Sequence, residues 1–392
     1  MKTSGHYDCE RQNAVANAST TETAHDLDDR VRQFVAALPL ATLAPVSTSQ
    51  QHFGGGPMIA EPMTLTLPST AIESVAWWME TSSATSLFIR PAYQALLVLA
   101  LAFLENTEVR YKVEITGARG VGKTAFLSWV VYYLRAQTSS PPPAIVLDLT
   151  NGNDSFFGLI HANGSVERGQ RGESFQCELA MRSTFYVYDA GSSLRPQSGD
   201  VLAKTIMLMP PTKNHCVDQN GHARPMETMH FVMPLWTLDE LDVCRSCCYP
   251  RVSMLDLQEL HKLWGGVPKW TLAERKDAST AHFRKCLDAL TFADAAETIQ
   301  ARGWFDADAE ESDRKKGVLG YDLIHVHADY DNTFQFRNAE LCSSIACAVL
   351  LGASDKQEIR AFLDKYRGRG ATAMHQFYVQ VEHEYWKKLV MI

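Results

Sequence analysis

The chain has 392 residues, a formal net charge of −8 at pH 7 and a pI near 5.9. Its 46% hydrophobic content supports a sizeable core in one to three domains. The acidic balance argues against a dedicated nucleic-acid coat. The nine cysteines are irregularly spaced, and the opening stretch MKTSGHYDCERQ has no apolar segment, which argues against a disulfide-stapled secreted fold. The longest apolar run, Ala95 to Leu104, is about half of what a membrane span needs. The expected setting is therefore intracellular, in cytoplasm or nucleus, with no membrane partner.

Met1 to about Ala24 is rich in Thr, Ser, Ala and Asn and reads as disordered. Leu27 to Leu40 reads as a short helix, with Val31, Phe34, Val35 and Leu38 at helical spacing. Ala41 to Pro68 holds four prolines and the run Gly54-Gly55-Gly56, so residues 1–68 are expected to be disordered or linker. Ser69 to Glu80 and Pro91 to Glu105 read as helices, the second with proline at its start.

The next stretch, Tyr111 to Gln137, organises the chain. Lys112 to Thr116 alternates and is rich in β-branched residues, which reads as a strand, and Ala125 to Leu134 reads as a buried helix. Between them lies Gly117-Ala118-Arg119-Gly120-Val121-Gly122-Lys123-Thr124, which fits G-x-x-x-x-G-K-[ST]. In that pattern Gly117, Gly120 and Gly122 free the backbone to aim N–H groups at phosphate. The helix start, through Val121 to Ala125, adds free N–H groups and the positive end of the dipole. Lys123 would reach the β- and γ-phosphates and the Thr124 hydroxyl would ligate Mg²⁺. Two glycine-spaced turns with a strand before and a helix after are the context this chemistry requires.

Ala144 to Leu149, Ser183 to Tyr188 and Val201 to Met209 read as buried parallel strands. Asn151 to Gly172 and Lys213 to Thr228 read as loops. The fold class is then α/β: a P-loop NTPase core with a parallel sheet over 69–230, followed by a mostly helical region over 231–392. In that second region Thr237-Leu238-Asp239-Glu240 reads as a capping box. Helices follow at 255–263, 278–290, 293–302, 343–351, 356–366 and 374–389, with short strands at 323–326 and 333–337.

A nucleotide site of this kind needs a second carboxylate near the metal. Asp189, directly after the apolar Phe185 to Tyr188, is the candidate, with Asp148 as the residue that would orient an attacking water. Thr212, after Pro210-Pro211, is the polar candidate at the third strand end, and Arg119 and Arg195 are candidate charge stabilisers. Gly265-Gly266-Val267-Pro268 makes a rigid turn, and Pro268 is expected against the base.

Six segments occur in an order that resembles the Crinkler and retrotransposon-hot-spot proteins: LFIRPAYQAL from Leu87, ITGARGVGKTAFLSWVVYYL from Ile115, YVYDAG from Tyr186, FVMPLWTLDEL from Phe231, LWGGVPKWTL from Leu263 and FQFRNAEL from Phe334. The similarity covers roughly Leu87 to Leu389. It implies a P-loop NTPase domain of the kind used as a conformational switch. Joined to the glycine-loop pattern, the expectation is an ATP- or GTP-binding domain, ATP ahead of GTP, with Mg²⁺ as cofactor and slow hydrolysis. In full-length members such a domain is coupled to a nuclease-like or kinase-like effector, and many Crinklers carry an N-terminal ubiquitin-like header for entry into a host cell. This chain departs from the pattern: no header is recognisable in Met1 to Pro68, Lys269 stands where arginine is usual, Pro210-Pro211 replaces the polar sensor end, and no effector domain follows before Ile392. The alternative is a catalytically degenerate scaffold that binds nucleotide and a protein or nucleic-acid partner.

Three other groups carry metal-type or charged side chains. Cys244, Cys247 and Cys248 with His215, Cys216, His222 and His230 offer a weak zinc pattern, against the expectation of helix-buried thiols. His325 and His327 are expected on opposite faces of a short strand, one in the core and one at the surface. Glu310 to Lys316 reads as a solvated loop.

Overall fold

The computed structural model describes residues 27–46, 61–68, 86–105, 111–138, 140–151, 154–189, 201–210, 227–300, 321–328, 334–368 and 374–390. Its centre is a seven-stranded sheet in the order β10-β4-β9-β8-β5-β6-β7. The strands are β4 (Tyr111–Thr116), β5 (Ala144–Asn151), β6 (Asp154–His161), β7 (Val166–Arg168), β8 (Phe185–Asp189), β9 (Lys204–Leu208) and β10 (Glu227–Val232). Five of them run parallel, from β10 through β5, and β6 and β7 close one edge antiparallel. All five residues of β8 are buried, which is why that strand reads as an unbroken apolar run.

One face of the sheet is covered by α2 (Pro91–Glu105) and α3 (Lys123–Tyr132), which pack against each other and against β9. The side chains of Val113, Ile115, Leu149, Val187 and Leu208 point to that face and belong to one cluster with Leu96, Phe126 and Val130. The opposite face holds a smaller cluster of Val146, Phe157, Leu179, Tyr186, Tyr188 and Met207.

The segment expected to be linker is partly structured. β1 (Thr42–Pro45), β2 (Met63–Thr66) and β3 (Ser86–Ile89) form a three-stranded antiparallel sheet. The reason is the alternation Met63-Thr64-Leu65-Thr66-Leu67, which buries Leu65 and Leu67. Helix α1 (27–37) with the 3₁₀ turn Leu38–Leu40 matches its expectation. Asn151 to Gly172 is likewise not a loop: β6 and β7 form a hairpin there, buried through Phe156, Phe157, Leu159 and Ile160. The expected disordered start, the helix 69–80, the Gly54–Gly56 run and the charged run 310–316 lie outside the described residues.

The second region starts inside the sheet, because a boundary at 230/231 falls within β10. From there α5 (Leu238–Cys248), α6 (Met254–Trp264), α7 (Lys276–Ala289) and α8 (Phe292–Gln300) follow. A ribbon of β11 (Ile324–Ala328) and β12 (Phe336–Leu341) precedes α9 (Ser344–Ala353), α10 (Lys356–Tyr366) and α11 (His375–Val390). Four helix starts are chemically marked: Thr237 and Glu240 form the expected capping box of α5, and Ser253, Ser343 and Asp355 cap α6, α9 and α10. A single hydrophobic cluster runs from Leu27 to Val381. Among the described residues no helix is long and apolar enough to cross a membrane.

Candidate functional site

The site forms where β4 ends and α3 begins. Gly117, Gly120 and Gly122 have φ values of 151°, 80° and 105°, in the region that favours glycine. They turn the chain tightly enough for α3 to start at Lys123. Gly122 is its N-cap, no side chain caps that end, and no acidic residue sits in its first turn. Where α5, α6, α9 and α10 satisfy their first N–H groups with a side chain, α3 leaves its own open.

The back of the loop is held by three aromatic and backbone donors. The Trp236 indole Nε1 donates to the Val121 carbonyl at 2.8 Å, and the Tyr93 hydroxyl donates to the Gly122 carbonyl at 2.8 Å. The peptides here are trans, so each carbonyl points opposite to the N–H that follows it. The Gly122 and Lys123 N–H groups therefore face away from Trp236 and Tyr93. The Gly265–Lys269 turn closes a third side. Lys269 N donates to the Gly120 carbonyl at 3.3 Å, and a Cβ on Gly120 would lie 2.7 Å from Lys269 Cβ and 3.1 Å from Val267 Cγ1. Pro268 sits between those two residues and starts the π-helical turn Lys269–Ala273. Ala118 and Val121 are buried beneath the loop, and Ala125 is half-buried in the first turn of α3.

Behind this support stand Arg90, to which pattern reasoning assigned no role, and Glu240 and Gly266, which it read only as a capping box and a rigid turn. Arg90 is fully buried and grips Glu240 side-on through one guanidinium edge, Nε to Oε1 at 3.0 Å and Nη2 to Oε2 at 2.8 Å. It also donates to the Pro234 and Leu235 carbonyls and lies 4.7 Å from the Trp236 ring centroid. Glu240 at the same time closes the capping box of α5. Gly266 lets Trp236 come close: its carbonyl accepts from Trp236 N at 2.9 Å, and a Cβ at 266 would overlap the Trp236 backbone. Segments some 140 residues apart in sequence thus converge on one loop. An arginine immediately before a helix-starting proline, in an apolar context, is the one signal in the sequence that pointed to a buried charge.

On the open side, Lys123 Nζ donates to the Gly117 carbonyl at 2.7 Å and the Ala118 carbonyl at 3.1 Å. Burial pushes its ammonium down to about 8, with Arg119 acting the same way and Asp189 opposing. The Thr124 hydroxyl donates to Asp189 Oδ2 at 2.7 Å. Asp189 ends β8 and is nearly buried. β9 lies between β8 and β4, so the carboxylate reaches the loop across one intervening strand rather than from a direct neighbour. A lysine, a hydroxyl paired to a carboxylate and open helix N–H groups can together hold a polyanion and a hard divalent cation.

Asp148 does not join them. It lies within β5, which continues to Asn151. The register pairs Leu149 with Asp189 and Asp148 with Tyr188. Since side chains alternate along a strand, Asp148 faces the side of the sheet opposite to α3. There it accepts from Tyr186 OH at 2.8 Å and Arg171 Nε at 3.1 Å, and pairs with Arg171 NH2. Burial pushes its carboxyl above the ordinary range against the pull of those partners. The expected water-orienting role is corrected: this is a structural ion pair. The five parallel strands end at Thr116, Asn151, Asp189, Leu208 and Val232, so Asp189 is their one terminal carboxylate. Thr212, Arg195 and Pro211 lie outside the described residues. Arg119 is exposed, and its NH1 lies 3.5 Å from Asp322 Oδ1.

The other groups resolve simply. Cys244 and Cys248 are buried and Cys247 is exposed, His230 pairs with Glu114 at 3.0 Å, and among the described residues these side chains form no ligand cluster. His215, Cys216 and His222 lie outside them. His325 and His327 share one face of β11, as residues two apart on a strand must. Their rings are 6.4 Å apart, so the expected opposite placement is corrected. His325 is buried, and burial pushes it down to about 3, while His327 pairs with Glu340 at 3.1 Å.

No protein-family model, curated protein or solved structure matches the chain.

Proposed function

We propose that the chain is a nucleotide-binding P-loop protein that works as a switch. The observation that carries this is the Thr124–Asp189 hydrogen bond of 2.7 Å at the open N-terminus of α3. It joins the two metal-side groups of the pattern from residues 65 positions apart. In this reading the N–H groups of Gly122, Lys123, Thr124 and Ala125 surround the phosphates, with Lys123 moving from the Gly117 and Ala118 carbonyls to phosphate oxygens. Thr124 would hold Mg²⁺ through its hydroxyl, and Asp189 would supply the carboxylate charge beside it. Gly117 and Gly120 keep the loop tight, Val121 anchors it, and Pro268 borders the base. ATP is the expected ligand ahead of GTP. The Gly265–Lys269 turn and Arg119 give the loop two mechanical links to the helical region, which suits a switch.

A second reading is favoured by the diversion of Asp148 into an ion pair. With Asp189 the one terminal carboxylate of the parallel strands, a scaffold that binds nucleotide without turnover has support, and a protein partner would then read the bound state.

The test is equilibrium titration with ATP and GTP, with and without Mg²⁺. Lys123→Ala removes a charged hydrogen-bonding group worth about 1.5–3 kcal/mol, so affinity should fall by about 10- to 150-fold. An unchanged affinity would sink the reading. Phosphate release from the bound nucleotide then separates switch from scaffold.

A further inference from the structure

Away from the loop, His282, Cys286 and Asp322 bring an imidazole, a thiol and a carboxylate together, with their ligand atoms all within 4.8 Å of one another. His282 and Cys286 lie one turn apart on α7 and so share a face. Asp322 comes from the turn just before β11. The site is built rather than incidental. Cys286 is fully buried and Asp322 almost so. The His282 ring is fixed by stacking on Trp270, with centroids 4.2 Å apart and 18° between planes, and on Trp264 beyond it. His282 Nε2 lies 2.8 Å from Asp322 Oδ2. The other oxygen, Asp322 Oδ1, is buried with no hydrogen-bond partner, and the nearest opposite charge is Arg119 NH1 at 3.5 Å.

A His–Asp hydrogen bond that ties α7 to β11 explains two of these side chains. It does not explain a thiol beside them, nor a buried carboxylate oxygen left without a donor, which costs about 1–3 kcal/mol. We infer that His282 Nε2, Cys286 Sγ and an Asp322 carboxylate oxygen form a three-ligand site for a divalent transition cation of the zinc class. Nitrogen and thiolate ligands select against Mg²⁺ and Ca²⁺, and three protein ligands leave one tetrahedral position open. Binding replaces the His282–Asp322 hydrogen bond by two metal bonds: the bridging proton leaves Nε2, the neutral imidazole keeping its proton on Nδ1, and the Cys286 proton goes to solvent. Arg119 is then the competing cation at Asp322, so metal occupancy would release a side chain that reaches from the glycine loop to this cluster.

The probe is Co²⁺ added to the full purified chain, followed by Zn²⁺. The wild type should take up a single equivalent with thiolate-to-cobalt charge-transfer absorption, which zinc abolishes. Cys286→Ser should lose that absorption, while Cys247→Ser, at an exposed thiol, should keep it. His282→Ala should weaken uptake by about tenfold or more. Should Cys286→Ser fail to fold, as judged by circular dichroism, Asp322→Asn replaces it: Asn keeps the shape and loses the charge, so affinity should drop with the absorption retained. Arg119→Ala should tighten metal binding. No thiolate absorption from folded wild type, absorption that survives Cys286→Ser, or Asp322→Asn binding as tightly as wild type would overturn the site.

Discussion

Two single-residue substitutions at the back of the loop separate the account from a merely crowded core. Trp236→Phe removes the indole N–H that donates to the Val121 carbonyl. Val121 is fully buried, so that carbonyl loses its donor without access to water, at about 1–3 kcal/mol. Loss of the indole face under Arg90, 4.7 Å away, adds roughly 0.5 kcal/mol, and the smaller ring leaves a cavity term of the same sign. Tyr93→Phe removes the other donor. Here the Gly122 carbonyl still accepts from Phe126 N at 3.0 Å, and ring volume is conserved, so the cost is nearer 0.5–1.5 kcal/mol. Urea unfolding should show lower midpoints with unchanged slopes, the Trp236 variant dropping further. Nucleotide affinity should follow the same order, because the N–H of the Val121–Gly122 peptide is one that the proposed site would aim at phosphate. Equal shifts in both variants, or a Trp236 variant with full affinity, would refute the idea that these donors aim the loop.

Other consequences follow from the same geometry. Lys123 is held down to about 8 against an ordinary value of 10.5. The unfolded chain thus binds that proton more tightly, so stability rises as pH climbs from about 8 towards 10.5 while nucleotide affinity, which needs the ammonium, falls through about 8; Lys123→Ala should flatten both profiles. Asp148→Asn should lower stability, by about 1–3 kcal/mol for a buried group losing its charge-assisted bonds, and leave nucleotide affinity within twofold, since its side chain faces the other side of the sheet. Gly266→Ala pushes a Cβ into the Trp236 backbone. It should cost about 1–3 kcal/mol as an overpacked site, and it should weaken nucleotide binding although residue 266 touches no ligand. Asp189→Asn keeps the hydrogen bond from Thr124 but not the charge, so it should reduce the Mg²⁺ dependence of binding more than binding without Mg²⁺.

The strand–loop–helix unit was legible because its signals are local: alternation in β4, three glycines and an apolar helix. The position of Asp189 was legible for the same reason, at the end of a five-residue buried run, and its carboxylate lies beside Thr124. Asp148 was misread because its role depends on register. Its phase within β5 is visible in the sequence, but only the pairing Leu149 with Asp189 tells which face it takes, and its partner Arg171 lies in a stretch whose polar ends hid the β6–β7 hairpin. β10 was missed because Glu227–Val232 mixes polar and apolar residues and gains its place from pairing with β4. The aromatic and arginine support is non-local: Trp236 reaches Val121 across 115 positions and Arg90 reaches Glu240 across 150. No composition or period reports such contacts, although four of the resembling segments meet at this place.

The most direct test is amide hydrogen exchange of the full chain with and without ATP and Mg²⁺, read at single-residue resolution. The account predicts protection on nucleotide addition at the N–H groups of Gly122, Lys123, Thr124 and Ala125, with little change at Asp148 on the opposite face. Absence of binding, or bound nucleotide whose protection falls elsewhere and leaves these four amides exchanging as before, would contradict it.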